Sequence, residues 1–246
     1  LFSQIENWQN NRPWGSVLDA GTGTHSLKWL MGLPTKRWTA VTGDINRAKS
    51  LQLEFKKEIR PVDCIRYGNW LDQSFLKDKV FDYVVADYLL GAIDGFAPYF
   101  QRTLFKRLRP HVRQGIYVVG MEPIPIYSPD PGAKLITEMT NLRDAHIRLA
   151  NHRCYREYPL TWTLDVLNES GFEIQNTATF PIRYNMKSID RQLNVCIRKL
   201  DFISDQSLGS ALKEKTESFR REASQFIAQN GPITFGFDYV VQAKTK

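Results

Sequence analysis

The chain alternates short runs of β-branched and aromatic residues with longer stretches whose apolar positions recur at helical spacing. Pro61 and Pro110 end two of the helical stretches. Because strand and helix alternate, the pattern predicts an α/β fold with a parallel sheet and right-handed crossovers. The predicted strands are Val17–Asp19, Trp38–Thr42, Asp63–Tyr67, Phe81–Ala86 and Ile116–Gly120, and the predicted helices between them are His25–Gly32, Ile45–Ile59 and Phe96–Leu108.

The second half of the chain predicts two further strands and two helix-rich insertions. The predicted elements are a helix at Leu160–Ser170 and strands at Phe172–Phe180 and Thr234–Ala243. The charged segment between the last two strands is too long for a hairpin loop, which favours helices there. We therefore expect a single domain over residues 1–246, with helical insertions at about 124–158 and 182–231 that form a substrate cap.

Composition narrows the class of protein. The 246 residues are 42% hydrophobic, enough to build a core, and no apolar run approaches the roughly 20 residues that span a bilayer. The three widely spaced cysteines favour a reducing compartment, which predicts the cytoplasm; an organelle stays open if a targeting segment precedes Leu1. Lys and Arg outnumber Asp and Glu by 33 to 26 but are spread along the chain, which indicates a solvated basic surface rather than a nucleic-acid interface.

The stretch Val17–His25, VLDAGTGTH, joins the first predicted strand to a glycine-rich turn. Gly21 and Gly23 let the backbone approach a ligand closely. The turn lacks the lysine of a nucleoside triphosphate loop, and Ser26 stands where a dinucleotide loop has its third glycine. Both differences argue against a phosphate-rich ligand.

Two acidic residues indicate which ligand the turn holds instead. Asp19 directly precedes the turn, where a carboxylate repels a pyrophosphate and attracts an ammonium group. Asp44 follows the second strand and is placed to accept hydrogen bonds from ribose hydroxyls. Together they predict an adenosine that carries a cationic amino acid.

These features resemble the class I S-adenosylmethionine-dependent methyltransferases, from about residue 15 to 124 and again in the two final strands. The matching segments are Asp19-Ala-Gly-Thr-Gly-Thr in the first turn, Asp44 after strand two, Gly68-Asn69-Trp70 with an amide where the family often has an acid, Phe81–Asp87 on strand four and Phe235–Val241 on strand seven. The resemblance implies a doubly wound, seven-stranded, mostly parallel Rossmann-like sheet. It also implies S-adenosylmethionine as cofactor and S-adenosylhomocysteine as product. The implied cofactor-binding residues are Asp19, Gly21, Thr22, Gly23, Asp44, Ile45, Asn69, Trp70, Asp87 and Tyr88.

The segment after strand four bears on the methyl acceptor. Family members that methylate the exocyclic amines of bases or glutamine amides usually carry Asn/Asp-Pro-Pro-Tyr/Phe there, and this chain has Asp87-Tyr88-Leu89-Leu90. That difference argues against a nucleic-acid substrate. We expect Asp87 to orient the acceptor or take its proton, and Tyr88 to contact cofactor or substrate. Glu122, after strand five, is a second candidate for catalysis; the alternatives are a helix-capping carboxylate at Asp87 and a surface carboxylate at Glu122.

A dense polar cluster follows the first helical insertion. His146 is a candidate proton acceptor because a neutral imidazole is available near pH 7. Arg153 and Arg156 are candidates to clamp a substrate carboxylate, and Tyr155 and Tyr184 to bind substrate. The spacing of these residues matches no standard metal site, so no metal is predicted. The alternative is a structural network that holds the insertion.

Three functions remain open at this stage. The first is a methyltransferase that acts on an N, O or S atom of a small-molecule metabolite. The second is a methyltransferase acting on RNA or protein, for which binding would fall steeply with salt. The third is a non-catalytic protein that retains the fold. The oligomeric state is not addressed by any pattern in the chain.

Overall fold

The computed structural model describes residues 1–246 and contains one seven-stranded sheet with the order β3-β2-β1-β4-β5-β7-β6. The first five strands pair in parallel, and β7 pairs antiparallel with β5. The doubly wound, mostly parallel α/β sheet predicted from the sequence is confirmed. The strands are β1 Ser16–Asp19, β2 Arg37–Thr42, β3 Cys64–Tyr67, β4 Phe81–Asp87, β5 Val112–Met121, β6 Phe172–Tyr184 and β7 Ile233–Thr245.

Nine α-helices accompany the sheet. None of them combines the length and the apolar character needed to cross a lipid bilayer. The helices are α1 Phe2–Gln9, α2 Thr24–Gly32, α3 Ile45–Glu54, α4 Leu89–Ala92, α5 Gln101–Leu108, α6 Pro131–Leu149, α7 Leu160–Glu169, α8 Met186–Leu200 and α9 Gln206–Asn230.

Two predicted helices are shorter in the structure. The helix predicted at Phe96–Leu108 begins only at Gln101, because Tyr99 has a φ of 67°, in the left-handed region that interrupts an α-helix. The helix predicted at Ile45–Ile59 ends at Glu54. Phe96 therefore lies outside the helix, and its side chain lines the cavity described below.

The chain divides into two compact units. The first comprises Leu1–Glu122, Tyr155–Phe180 and Asp238–Lys246, and the second comprises Pro123–Cys154 and Pro181–Phe237. The second unit therefore includes most of the two segments that the sequence identifies as insertions. Its role as a substrate cap stays a prediction.

The core of the first unit is built on the central strands. All four residues of β1 are buried, as expected for a parallel strand covered on both faces. The buried hydroxyl of Tyr117 in this core is paired twice: it donates to Gln9 Oε1 at 2.7 Å and accepts from Gln242 Nε2 at 3.1 Å. Such pairing removes the free-energy cost of burying these groups without water.

The second unit has its own apolar core, in which α6, α8 and α9 bury one face each. Asp130 begins α6 by accepting a hydrogen bond from the Ala133 amide at 2.7 Å, and Asn185 and Ser188 form a reciprocal cap at the start of α8. Gly231, with a φ of 78°, ends α9. The core residues of this unit include Ile136, Met139, Ile189, Leu193, Phe219 and Ala223.

Candidate active site

The glycine-rich turn follows β1 at the carboxyl edge of the sheet. Asp19 is only 1% exposed; its Oδ1 accepts a hydrogen bond from the Gly21 amide at 3.3 Å, while its Oδ2 has no partner. Burial raises the pKa of Asp19, an effect that the nearby Ser26 and Thr22 hydroxyls and the Gly21 amide oppose. The turn thus presents a buried carboxylate oxygen that lacks a positively charged or hydrogen-bonding partner.

Gly21 and Ser26 each have a structural task in this turn. A Cβ on Gly21 would lie 2.7 Å from Leu89 Cδ1, so any side chain there would displace Leu89. Ser26 Oγ accepts a hydrogen bond from the Gly23 amide at 3.0 Å and so caps α2. The serine satisfies a backbone amide that a phosphate group would otherwise bind.

A cavity of about 320 Å³ opens beside this turn within the first unit. It lies at the carboxyl ends of β1, β2 and β3, where ligands bind in doubly wound sheets. Of the predicted cofactor residues, its lining includes Gly21, Thr22, Asp44, Asn69 and Trp70, whereas Asp19, Gly23, Ile45, Asp87 and Tyr88 lie outside the lining. The lining also includes Arg47, Leu89, Ala92, Ile93, Phe96 and Tyr155.

The polar residues of the cavity are held in place by the backbone. Asp44 Oδ1 accepts hydrogen bonds from the Asn46 and Arg47 amides and caps α3. Trp70 is buried and donates its indole N–H to the Ala20 carbonyl at 2.8 Å. Asn69 donates to the Phe96 carbonyl at 2.9 Å and accepts from the Leu71 amide, so its amide group ties the cavity wall together.

Asp87 is the last residue of β4 and Tyr88 directly follows it; a second half-buried acid, Asp238, acts electrostatically on both. Burial, together with the negative charges of Asp19 and Asp238, raises the pKa of Asp87 to about 7. Burial raises the pKa of both Tyr88 and Asp238, and the negative charge of Asp238 adds to the shift at Tyr88. Tyr88 has a φ of 47°, a left-handed conformation that is rare for an aromatic residue and is found mainly at functional sites.

Sequence reasoning missed Asp238. It lies on β7 opposite Met121, and because β7 is antiparallel its start meets the carboxyl edge of the parallel strands. The signal for it was an acid within an apolar run of a strand already identified as antiparallel. Phe96 was missed for another reason, since the helical pattern placed it inside a helix.

Glu122 has a structural task. Its Oε2 accepts a hydrogen bond from the Leu160 amide at 2.9 Å, at the first residue of α7. This bond satisfies one of the free amides at a helix start and places a negative charge at the positive end of the helix dipole. Because its carboxylate is used in this way, we assign Glu122 no catalytic role, and the role predicted from the sequence stays a prediction.

Two residues of the second unit also differ from their predicted roles. His146 is fully buried, with Nδ1 2.8 Å from the Leu142 carbonyl and Nε2 3.2 Å from Thr216 Oγ1, so neither ring nitrogen is available to a substrate. Tyr184 belongs to the apolar core of that unit. The hydrogen bonds of His146 and the burial of both residues give them structural roles in this unit, and their predicted roles in catalysis and substrate binding stay predictions.

The remaining substrate-binding candidates divide between cavity and surface. Tyr155 lines the cavity and is itself 56% exposed. Arg153 and Arg156 are exposed and are not part of the cavity lining. Their predicted carboxylate clamp stays a prediction.

Comparison with known proteins addresses the fold. No protein-family model and no curated protein matches the sequence. Among solved structures, the YcgJ protein of Bacillus subtilis is 17% identical with a TM-score of 0.60, and the match covers 99% of this chain and 97% of that one. The mycolic acid cyclopropane synthase CmaA1, complexed with S-adenosylhomocysteine, is 13% identical with a TM-score of 0.58 over 99% and 84% of the two chains.

A third solved structure is a methyltransferase by name. Coclaurine N-methyltransferase, bound to N-methylheliamine and S-adenosylhomocysteine, is 12% identical with a TM-score of 0.55, and the match covers 99% of this chain and 71% of that one. These matches extend over nearly all of the present chain. The chain therefore has the fold of the class I S-adenosylmethionine-dependent methyltransferases.

Proposed function

We propose that this chain is an S-adenosylmethionine-dependent methyltransferase that transfers a methyl group to an N, O or S atom of a small-molecule metabolite. The observation that carries the proposal is Asp19 Oδ2, a buried carboxylate oxygen without a partner at the glycine-rich turn. A buried charge is stable only when it is paired, and the ammonium group of the cofactor is a suitable partner.

Other residues of the cavity fit the rest of the cofactor. Asp44 uses only Oδ1 to cap α3, which leaves Oδ2 for the ribose hydroxyls. Trp70, Phe96 and Leu89 provide apolar walls for the adenine. When bound, the cofactor supplies a methyl group on a sulfonium, a good leaving group as the neutral thioether. The protein's own contribution is to hold the acceptor in line, exclude water and move a proton.

Asp87 is the residue we assign to the proton. It lies at the end of β4, and a pKa of about 7 allows it to be ionised in part of the molecules and to accept a proton near neutral pH. A small-molecule acceptor is supported by the segment Asp87-Tyr88-Leu89-Leu90, which lacks the prolines typical of enzymes that act on bases. Coclaurine N-methyltransferase, one of the similar structures, is bound to N-methylheliamine, which also supports a small-molecule acceptor.

The second unit is proposed to supply the substrate cap. The support is its position in the chain, since Pro123 lies two residues after the end of β5, and Pro181–Phe237 runs from the end of β6 through α8 and α9 to the start of β7. Hydrogen exchange of α6, α8 and α9 tests this assignment. Protection that increases with acceptor and S-adenosylhomocysteine together, but not with S-adenosylhomocysteine alone, is the expected result; unchanged exchange contradicts it.

Calorimetry tests the proposed function itself. We expect S-adenosylmethionine and S-adenosylhomocysteine to bind the wild type, Asp19→Ala to weaken binding by at least about tenfold through the lost charged hydrogen bond, and Asp44→Ala to weaken it less. Asp165→Ala, an exposed acid on α7, is the control for charge. Absence of binding by the wild type, or affinity unchanged in both Asp19→Ala and Asp44→Ala, would overturn the proposal.

A further inference from the structure

A second cavity of the first unit lies apart from the cofactor cavity. Its volume is about 470 Å³, and it is formed by the segment that precedes β4 and by α5 with the turn that follows it. It shares no lining residue with the cofactor cavity, so its chemistry is separate from that of the proposed methyl transfer. The polar residues of its lining that bear on a ligand are Gln73, Lys77, Asp78, Thr103, Lys106 and Arg107.

Arg107, near the end of α5, carries the observation that points to a ligand. Its Nε atom is buried and has no hydrogen-bond partner, which is the same condition as that of Asp19 Oδ2 at the glycine-rich turn. A buried donor without an acceptor destabilises the fold, and more so on a charged group. An anion bound in this cavity would supply the missing acceptor.

The other nitrogens of Arg107 are held by uncharged partners. Nη2 donates to the Asp72 carbonyl at 3.0 Å and to the Phe75 carbonyl at 2.7 Å, and Nη1 lies 2.5 Å from Nε2 of the buried His111. His111 Nδ1 is 2.7 Å from the Lys79 carbonyl, which can only accept, so Nδ1 carries the proton and Nε2 accepts from Arg107. Burial lowers the pKa of His111, which keeps the ring neutral. The guanidinium is thus fixed in position while these partners leave its charge uncompensated.

The charges of the lining favour a phosphate group over a carboxylate. Lys77, Lys106 and Arg107 are positive and Asp78 is negative, which leaves an excess of two positive charges. A phosphate monoester carries up to two negative charges near neutral pH and has three oxygens that accept hydrogen bonds. A carboxylate carries one charge on two oxygens and would leave one cation unpaired.

Asp72 is a further acid near Arg107, and its negative charge acts on the guanidinium. Its carboxylate is exposed, lies outside the lining and accepts hydrogen bonds from the Ser74 amide at 2.8 Å and the Ser74 hydroxyl at 2.7 Å. Water and salt screen the attraction of such an exposed carboxylate. Asp72 therefore does not provide the acceptor that Nε lacks.

The backbone around the cavity is held in conformations that are rare for residues with side chains. Leu76 and Asp78, on either side of Lys77, have φ values of 55° and 60°, and Tyr99, just before the lining residue Phe100, has a φ of 67°. Left-handed conformations of this kind cost free energy and cluster at ligand-binding segments. They agree with a built site at this place.

We propose that this second cavity binds a small phosphate monoester, whose phosphate group accepts hydrogen bonds from Lys77, Lys106 and Nε of Arg107. Phe100 and Pro110 also line the cavity and provide an apolar surface for the organic part of the ligand. The inference goes beyond the proposed function, because the site is separate from the cofactor cavity and involves binding alone.

The first experiment is a titration of isotope-labelled wild-type protein at constant ionic strength, followed by the chemical shifts of the backbone amides. Phenyl phosphate is expected to give saturable shifts at residues 72–79 and 100–111 and to bind at least about tenfold more tightly than benzoate, which has the same ring and one charge. Shifts that do not saturate, equal affinity for benzoate, or shifts confined to the glycine-rich turn would overturn the inference.

Inorganic phosphate in the same titration separates two sources of the phosphate group. It is expected to bind at the same residues but more weakly than phenyl phosphate, because it makes no contact with Phe100 and Pro110. Equal affinity of the two would support the phosphate site and assign it to the free ion. Tighter binding of an oligonucleotide, with no binding of either small phosphate, would overturn the inference.

The second experiment assigns the binding to the residues of the cavity. Both lysines are exposed and can be replaced without loss of the fold, and the double variant Lys77→Gln, Lys106→Gln is expected to weaken phenyl phosphate about tenfold. Lys49→Gln removes an exposed lysine of α3 in the same unit and is the matched control, expected to leave the affinity unchanged. An unchanged affinity in the double variant, or an equal loss in Lys49→Gln, would overturn the inference.

Arg107→Lys tests the unpartnered nitrogen directly, since it keeps the positive charge and removes Nε. It is expected to weaken phenyl phosphate about tenfold, and wild-type affinity in the folded variant would overturn the role of Nε. Circular dichroism establishes first that the variant folds, because Arg107 also bonds to the carbonyls of Asp72 and Phe75. If it does not fold, the lysine double variant decides.

Saturation with S-adenosylhomocysteine separates this inference from the proposed function. Because the two cavities share no lining residue, phenyl phosphate should still bind the wild-type protein in its presence. Competition between the two ligands would place phenyl phosphate in the cofactor cavity and overturn the inference. If the protein binds phenyl phosphate but not S-adenosylhomocysteine, the proposed function fails and the inference stands.

Discussion

Replacement of Asp87 by Asn should stabilise the ligand-free protein at neutral and alkaline pH. In the wild type the Asp87 carboxylate is mostly buried and is repelled by Asp19 and Asp238. An asparagine at this position has similar volume and carries no charge at any pH. The substitution therefore removes an unfavourable charge from the folded state, at the expense of the group that we assign to proton transfer.

The magnitude follows from the pKa of Asp87. Burial and like charge raise it from 3.8 to about 7, a difference of about 3 units, which corresponds to about 4 kcal/mol at 1.36 kcal/mol per unit. Because the folded pKa lies above the unfolded value, the carboxyl's contribution to stability is complete below pH 3.8 and is lost as the pH rises to about 7. Water entry around a partly accessible side chain reduces the effect, and we expect about 2 to 4 kcal/mol at pH 8.

Urea unfolding followed by circular dichroism measures this difference for wild type and Asp87→Asn between pH 4 and pH 8. The other titrating groups are common to both proteins, so the difference between the two curves isolates Asp87. The advantage of the variant should be small at pH 4 and grow until about pH 7. A difference that does not change with pH, or a variant that is less stable throughout, would refute the reasoning.

Three further substitutions test other parts of the structure. Asp82→Asn should destabilise the protein by about 2 kcal/mol at pH 7, because hydrogen bonds from Ser16 and charged contacts hold the pKa of Asp82 at about 2. The stabilisation by Asp82 is lost as the pH falls from 3.8 toward 2, so urea unfolding of wild type and variant at both ends of that range measures it. Gly21→Ala should push Leu89 into the cavity and weaken the binding of S-adenosylhomocysteine about tenfold, as measured by calorimetry. The control is Gly32→Ala, whose added Cβ meets nothing within 4 Å and which should leave the binding unchanged. His146→Ala should lower the free energy of unfolding, measured with urea, by about 2 to 3 kcal/mol, since it removes two buried hydrogen bonds. It should leave kcat within about twofold; a specific loss of kcat would support the catalytic role first predicted for His146.

Asp82 and Asp238 show how direction of the chain decides the environment of a residue. Both occur in the same five-residue sequence, Phe-Asp-Tyr-Val-Val, at Phe81–Val85 and Phe237–Val241. In β4, which is parallel to its neighbours, the acid lies at the amino end of the strand and pairs with Ser16 and Arg113, which lowers its pKa. In β7, which is antiparallel, the same acid lies at the carboxyl edge among other carboxylates, and its pKa is raised.

The sequence by itself determined the order of strands and helices and the position of the glycine-rich turn. Hydrophobic runs and proline positions predict these elements because they act over a few residues, and Asp19, Gly21 and Asp44 follow from strand ends that are local features. The same local signals place Trp70 and Tyr88 at the site.

Only the tertiary structure decided which distant acids share an environment. His146 and Glu122 have residue types suited to catalysis, but their partners Thr216 and Leu160 are 70 and 38 residues away, and those contacts make them structural. Asp238 joins Asp87 because β7 enters the sheet in the reverse direction. A side chain's charge and chemistry are local properties, whereas its burial, its pKa and its neighbours depend on segments that meet only when the chain folds.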